Sequence, residues 1–330
     1  MKSWEQLREV QPLAGKIMMN SFLKNRVSHA YLIQGTRGTG KKTFATMIAM
    51  TIFCPNVNNV EPCQSCHTCK RILSGNHPDV HWIEPEGKSI KTEQIRALQH
   101  EFGYRGMESA KKVYIITNAE ALTVNASNRI LKFLEEPEVE TTALLLTDNG
   151  QSIIPTIQSR CQILELKPLQ QKAFINRLMA DNDIAINESQ SRLISALTNN
   201  ISEARTLHEE EKVYEIKDVV YQLIYQLIAN YEDRYLFMHQ TYLPKIKDKQ
   251  DQELGLDLML LAFKDILNFR NQRVEQLLFF QSNDGLLNRA IEQFSEQRLL
   301  HILQAILEAK QKLNQNVHPT LVMEQLVLRF

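Results

Sequence analysis

The sequence predicts an α/β nucleotide-fold core built on a parallel sheet, followed by an all-helical second half. Three observations predict it. Short apolar runs alternate with helix-like segments through the first half. A glycine-rich turn, Gly35-Thr-Arg-Gly-Thr-Gly-Lys41, follows directly on the first of those runs. From Gln170 onward the short runs vanish and apolar residues recur at helical spacing. Strands separated by helices imply a parallel sheet covered on both faces.

The elements follow in order. Residues 30–34 (AYLIQ) read as a buried strand, and 41–53 as the helix that the glycine-rich turn opens. A cysteine-rich insert occupies 54–77. Residues 79–83 read as the next strand, and 91–102 as a helix with Ile95, Leu98 and Phe102 on one face. KVYIIT at 112–117 is a strong strand, and 125–136 a helix stopped by Pro137. TTALLLT at 141–147 and a short run at 162–166 complete the sheet. In the second half Val219, Val220, Leu223, Ile224, Leu227, Ile228 and Tyr231 form one helical stripe. Leu299, Leu300, Leu303, Ile306, Leu307 and Leu313 form another. Polar breaks at 207–212 and 245–253 mark joints, so a small helical domain precedes a larger one.

At 330 residues the chain is too long for one ordinary core. Its hydrophobic share of 43% and charged share of 23% are those of a globular protein. Lys plus Arg number 38, as do Asp plus Glu, so the net charge is zero. A protein that wraps DNA unaided draws its affinity from phosphate neutralisation and is strongly basic. Neutrality argues against a stand-alone DNA binder and leaves room for a few DNA contacts inside an assembly. The opening MKSWEQLREV lacks the apolar core of a signal peptide, and the longest apolar stretches, 47–53 and 258–263, are too short for a bilayer. A cytoplasmic location without a membrane partner is expected. In the reducing cytosol, clustered cysteines point to a metal rather than to disulfides.

The segment from Gly35 through Gly38 and Gly40 to Lys41 matches the front of a phosphate-binding loop, placed between a strand and a helix as such a loop requires. Glycines let backbone N–H groups curl around phosphate, the helix adds its positive end, and the lysine reaches terminal phosphates. The next residue should be Ser or Thr, to hold magnesium. It is Lys42, and Thr43 stands one position late. A second cation there disfavours the metal. The acid that should close a neighbouring strand is missing too, since the strand 113–116 ends in Thr117-Asn118 and Glu120 lies two positions off. Two independent lesions on one chemistry argue against hydrolysis. Passive binding of ATP or ADP through the loop backbone and Lys41 stays open; Mg²⁺ is not expected.

Cys54, Cys63, Cys66 and Cys69 give the spacing C-x8-C-x2-C-x2-C. Four close thiolates suit a tetrahedral structural zinc site. An iron–sulfur cluster and free thiols are the alternatives. A ferredoxin-type run would place a fourth cysteine at position 73, which is Leu73 here. His67 and His77 are spare candidates that four cysteines make unnecessary. Ser159-Arg160-Cys161 precedes the last strand. An arginine there can fork onto a neighbour's phosphate oxygens, but most loop arginines only pair with surface acids. Cys161 reads as a small buried hydrophobe.

These pieces together resemble the bacterial clamp-loader subunits of the AAA+ class. The resemblance rests on the run from His29 to Lys41, the cysteine insert after the first helix, NRILKFLEEP ending at Pro137, and IPTIQSRC ending at Cys161. It covers most of the first 210 residues, and NVHPTLVMEQL at 316–326 looks like the family's collar helix. The resemblance implies an AAA+ α/β core at 1–166 with a zinc module at 54–77, a helical lid at 167–208 and a helical collar for oligomerisation at 209–330. The chain departs from the active ATPases at Lys42, Thr117 and Asn118. It departs again in the lid, where Ser202 takes the nucleotide-sensing position and Arg205 is displaced by three residues. That combination resembles the family's non-hydrolysing delta-prime branch. It implies no intrinsic activity, structural Zn²⁺, and Arg160 as an arginine finger acting in trans. The implied partners are delta and gamma or tau subunits in a heteropentamer, with the sliding clamp and primed DNA met through the complex. An active gamma- or tau-class ATPase using Lys41 and Thr43, and a zinc-containing DNA-binding protein with a vestigial nucleotide fold, are the competing readings.

Overall fold

The structure, a computed structural model, describes residues 3–102, 109–135, 140–181, 184–229, 234–280, 284–315 and 317–330. Pro137, Tyr231, Asn316 and the side chain of Phe102, all invoked above, lie outside the described residues. The chain divides into two units, Met1–Leu169 and Gln170–Phe330.

The first unit begins with two helices, α1 (Trp4–Val10) and α2 (Pro12–Leu23). There follow β1 (Ala30–Gln34), α3 (Lys41–Phe53), α4 (His67–Leu73), β2 (Val80–Ile83), α5 (Thr92–Phe102) and β3 (Lys111–Ile116). Then come α6 (Val124–Glu135), β4 (Glu140–Thr147), α7 (Pro155–Gln158) and β5 (Gln162–Glu165). The five strands form one parallel sheet in the order β2-β3-β4-β1-β5. Each strand read from the sequence is present, with ends moved by a residue or so.

Side chains of successive strand residues point to opposite faces, and the sheet uses both. Tyr31, Ile33, Val113, Ile115, Leu144 and Leu146 pack with Trp4, Met18 and Phe44 from α1, α2 and α3. The alternate set, Ala30, Leu32, Tyr114, Ile116 and Leu145, packs with Ile95, Leu98, Ile130 and Ile157 from α5, α6 and α7. Burial on both faces is why these strands read as unbroken apolar runs rather than as alternating ones. Trp4 is fully buried and lies edge-on to Phe44 at 5.4 Å, and its indole N–H donates to Thr51 Oγ1 at 2.9 Å.

Among the described residues the second unit holds no strand. Its helices are α8 (Gln171–Met179), α9 (Glu188–Leu197), α10 (Ile201–Glu209), α11 (Lys212–Ile228), α12 (Arg234–Phe237) and α13 (Leu243–Lys245). They continue with α14 (Lys249–Arg270), α15 (Gly285–Gln293), α16 (Glu296–Asn314) and α17 (Pro319–Arg329). A π-turn at Met238–Tyr242 joins α12 to α13. The stripe on α11 is buried from Val213 to Ile228. On α16 the stripe is narrower than its leucines suggest: Leu299, Ile306 and Leu313 are buried, while Leu300 and Leu307 are about half exposed. One residue is a turn of about 100° on a helix, so the neighbours of a buried heptad position rotate outward.

The polar break at 245–253 is also shorter than its composition suggests, because α14 starts at Lys249. Asp251 and Gln252 are buried there. Lys212 pairs with Asp251 at 2.7 Å, and Gln252 Nε2 donates to Ile246 O at 3.2 Å. Asp265, deep on α14, accepts the backbone N–H groups of Leu278, Phe279 and Phe280 at 2.8, 2.7 and 3.0 Å. Burial pushes its carboxyl above the usual range against the pull of those three donors. No helix among the described residues is long and apolar enough to cross a membrane.

Candidate functional site

The phosphate loop leaves the carboxyl end of β1, between β4 and β5, and runs into α3. Gly38 and Gly40 both take φ 87°, the left-handed region that glycine enters without strain, and Gly40 caps α3. Gly35 is needed for a different reason. A Cβ there would lie 2.4 Å from Leu166 O and 2.8 Å from Thr39 Oγ1. The loop is cross-braced by Thr39, whose hydroxyl donates to Thr36 O at 2.9 Å. Gln11, buried between α1 and α2, spans Thr39 O at 3.4 Å and Lys167 O at 2.7 Å, and accepts from Lys167 N–H at 2.9 Å.

Lys41 folds back into this loop. Its ammonium donates to Gly35 O at 2.6 Å and Thr36 O at 3.0 Å, and pairs with Asp148 Oδ1 at 2.6 Å. Lys42 points out to Glu84, just past the end of β2, at 2.7 Å, and both side chains are well exposed. Thr43 is exposed on the first turn of α3. At the end of β3 the Thr117 hydroxyl is spent on Ile83 O at 3.3 Å. Asn118 sits in the left-handed region at φ 50° and touches Glu120 at 3.5 Å.

The four cysteines converge. Their sulfurs all lie within 4.8 Å of one another, and Cys54 and Cys63 Sγ are 3.6 Å apart. A tetrahedral ion held by thiolates at about 2.3 Å sets its sulfurs about 3.8 Å apart, so donor type and spacing both fit. Backbone N–H groups of Cys63, Cys66 and Cys69 donate to the sulfurs of Cys54, Cys63 and Cys66, each at 3.4 Å. The Cys66 N–H is the first cause that draws the Cys63 thiol down to about 6, while burial pushes Cys54 and Cys69 up. His67 is exposed and His77 is stacked on Phe53 at 4.8 Å, with its Nδ1 accepting from Asp79 N–H at 3.2 Å. The insert is tied to the N-terminus through Glu61, whose carboxylate accepts from Trp4 N–H at 3.0 Å and Glu5 N–H at 3.2 Å.

Arg160 follows the short helix α7. Its guanidinium donates to Thr156 O at 2.9 Å and pairs with Glu135 at the end of α6. The side chain is 35% exposed. Cys161 lies against the sheet core, and burial pushes its thiol up to about 12. In the second unit Arg205 pairs with Asp181, its Nε–H donating at 2.9 Å, and Ser202 N–H is taken by the α10 cap Asn200 at 3.0 Å.

Four residues of these sites escape a reading of the sequence alone: Gln11, Glu84, Glu135 and Asp148. Glu135 falls within NRILKFLEEP, which does not mark it as a partner of Arg160, and the other three belong to no motif named above. Asp148 and Glu84 carry a signal, each being an acid just past the end of a strand read as lying in the same parallel sheet as the loop's strand.

A family model described as DNA polymerase III, delta subunit matches residues 10–170. The chain is 41% identical to DNA polymerase III subunit delta' of Bacillus subtilis over 326 residues, 99% of this chain and 98% of that protein. It is 30% identical to subunit delta' of Haemophilus influenzae over 84% of this chain and 81% of that one. Subunit tau of Bacillus subtilis is 26% identical across 95% of this chain, which spans 59% of that longer protein. Among solved structures, a gamma subunit-related protein of Thermotoga maritima superposes with a TM-score of 0.49 at 16% identity, covering 97% of each chain. Identity of 41% held over nearly the whole of both chains decides the family, and the chain belongs to the clamp-loader delta' subunits of DNA polymerase III.

Proposed function

We propose that this chain is the non-hydrolysing AAA+ subunit of a clamp loader, and that it lends Arg160 in trans to the ATP site of an adjacent subunit. One observation carries the reading. Lys42 stands where a magnesium-holding hydroxyl is needed, and no carboxylate closes β3 at Thr117-Asn118, inside a chain of the delta' family. Without a metal ligand and an acid, no γ-phosphate can be activated here. Arg160 is permanently charged, part-exposed and placed just after the short helix α7, which suits a group that works on a neighbour's phosphate.

On this reading residues 1–166 are the AAA+ core, 167–208 the lid and 209–330 the collar that joins delta and gamma or tau subunits in a ring. The ring would place the sliding clamp on primed DNA. Zn²⁺ would be held by Cys54, Cys63, Cys66 and Cys69 in a closed, structural site. The convergence of four sulfurs supports that, as does the use of the nearby histidine His77 elsewhere.

The test is the steady-state ATPase of the reconstituted loader with clamp and primed DNA, comparing wild type with Arg160→Ala, beside this chain alone. The chain alone should be silent. Turnover at the site that Arg160 completes should fall by about 10³-fold or more, the scale of a lost arginine finger. A chain that hydrolyses ATP by itself, with a loader indifferent to Arg160→Ala, makes this an active motor subunit instead.

A further inference from the structure

The phosphate loop carries an anion of its own. An ammonium has three hydrogens, and three oxygens meet that of Lys41: Gly35 O, Thr36 O and Asp148 Oδ1. Two of these are neutral. The third brings the charge that a phosphate oxygen would bring. The contact is sheltered, with the Lys41 side chain only 12% exposed. Its position is also fixed. Asp148 follows the last residue of β4, which lies beside β1 in register, with Thr147 opposite Gln34. Gly35 N–H donates to Thr147 O at 3.2 Å, and the Thr147 hydroxyl both donates to Asn149 O at 3.0 Å and accepts from Asn149 N–H at 3.2 Å. The carboxylate is thus set against the loop by the sheet itself. Beside it opens a cleft of about 300 Å³, lined by Gln34, Gly35, Thr36, Asp148, Asn149 and neighbours, at the low end of small-ligand pockets.

We propose that Asp148 sets what this loop binds: its carboxylate stands in for phosphate on Lys41 and excludes nucleotide di- and triphosphates. The inference rests on reading the segment from Gly35 to Lys41 as a phosphate loop, and it is independent of the role of Arg160. An incoming phosphate must take Lys41 away from Asp148 and then remain beside a like charge. Asp148→Asn keeps the size and an acceptor for Lys41 but removes that charge. Like charges about 4 Å apart in a part-exposed site make an affinity gain of about 10- to 100-fold the expected effect.

The experiment is isothermal titration of pyrophosphate, ADP and ATP into the full chain, as wild type, Asp148→Asn, and Asp148→Asn with Lys41→Ala. Asp148→Asn should bind pyrophosphate and ADP at least tenfold tighter than wild type, and the double variant should lose the gain. Wild type binding as tightly as Asp148→Asn overturns the proposal, as does a folded Asp148→Asn that gains nothing. A gain that survives Lys41→Ala overturns it as well, because the binding would then bypass Lys41. Should Asp148→Asn fail to melt cooperatively, Asp148→Ser is titrated in its place and read by the same criteria. The Arg160→Ala loader assay reports separately on the finger, so the two ideas can fail independently.

Discussion

The cysteine insert and the phosphate loop sit at opposite ends of the same helix, α3, and have fared differently. The insert keeps every part its chemistry needs: four sulfurs within 4.8 Å of one another, braced by backbone N–H groups and tied to α1 through Glu61. The loop has its glycines and Lys41 but neither a hydroxyl directly after Lys41 nor an acid at the end of β3, and Lys41 pairs with Asp148 while Lys42 pairs outward with Glu84. The difference teaches what each arrangement depends on. The four sulfurs converge from a short stretch of chain. The loop keeps its shape without those two groups, because Gly35, Thr39 and Gln11 pack it against the sheet.

The sharpest break would come from the insert. Cys69 is fully buried, and Cys69→Ser removes one of the four converging sulfurs. Metal binding worth on the order of 10 kcal/mol is folding energy in small zinc sites, so stoichiometric zinc should vanish and the melting temperature should fall by many degrees. The sign with pH follows from the thiols. Burial raises Cys54 and Cys69 above the usual cysteine range, so the metal must displace protons there and its hold weakens as pH falls. Zinc analysis across a pH series in the presence of a chelator reads this. A Cys69→Ser protein with full zinc and an unchanged melt would reduce the cluster to ordinary thiols and end the contrast.

A middle-sized effect belongs to the strut between the two sites. Trp4 is buried against Phe22 and Phe44 and bonded to Thr51. Trp4→Ala should cost about 3–5 kcal/mol through the cavity it leaves, seen as a lower urea midpoint. A loss under about 1 kcal/mol would mean that α1 packs on α3 without stabilising it.

The smallest effect sharpens the account of the loop. Lys42→Thr restores the missing hydroxyl. Its pair with Glu84 is exposed, so stability should change by no more than about 1 kcal/mol. ATP turnover by the purified chain should stay undetectable, because Thr117 and Asn118 still supply no carboxylate. Turnover regained by this one change would show that the loop has a single lesion rather than two.

The three central strands were legible because a sheet buried on both faces demands unbroken apolar runs, and AYLIQ, KVYII and TALLLT have no other reading of comparable strength. The convergence of the cysteines was legible because three of the four lie within seven residues, so their meeting is nearly a local property. The α16 stripe was only half legible. Leu300 and Leu307 are as apolar as Leu299 and Ile306, and hydropathy alone cannot separate neighbours that differ by rotation about the helix axis.

By itself, then, the sequence determined the fold class, the place of the glycine-rich loop between a strand and a helix, the residues Lys42, Thr117 and Asn118 beside it, and the convergence of the four sulfurs. Each of these is written in a short stretch of chain or in a periodicity. Only the tertiary structure decided which acid faces which cation: Asp148 on Lys41, Glu84 on Lys42, Glu135 on Arg160. Those acids stand 25 to 107 positions from their partners. Charge pairing over such separations leaves no spacing to read, because parallel strand order and register, not proximity in the chain, bring the ends of β2, β4 and α6 to the loops they meet.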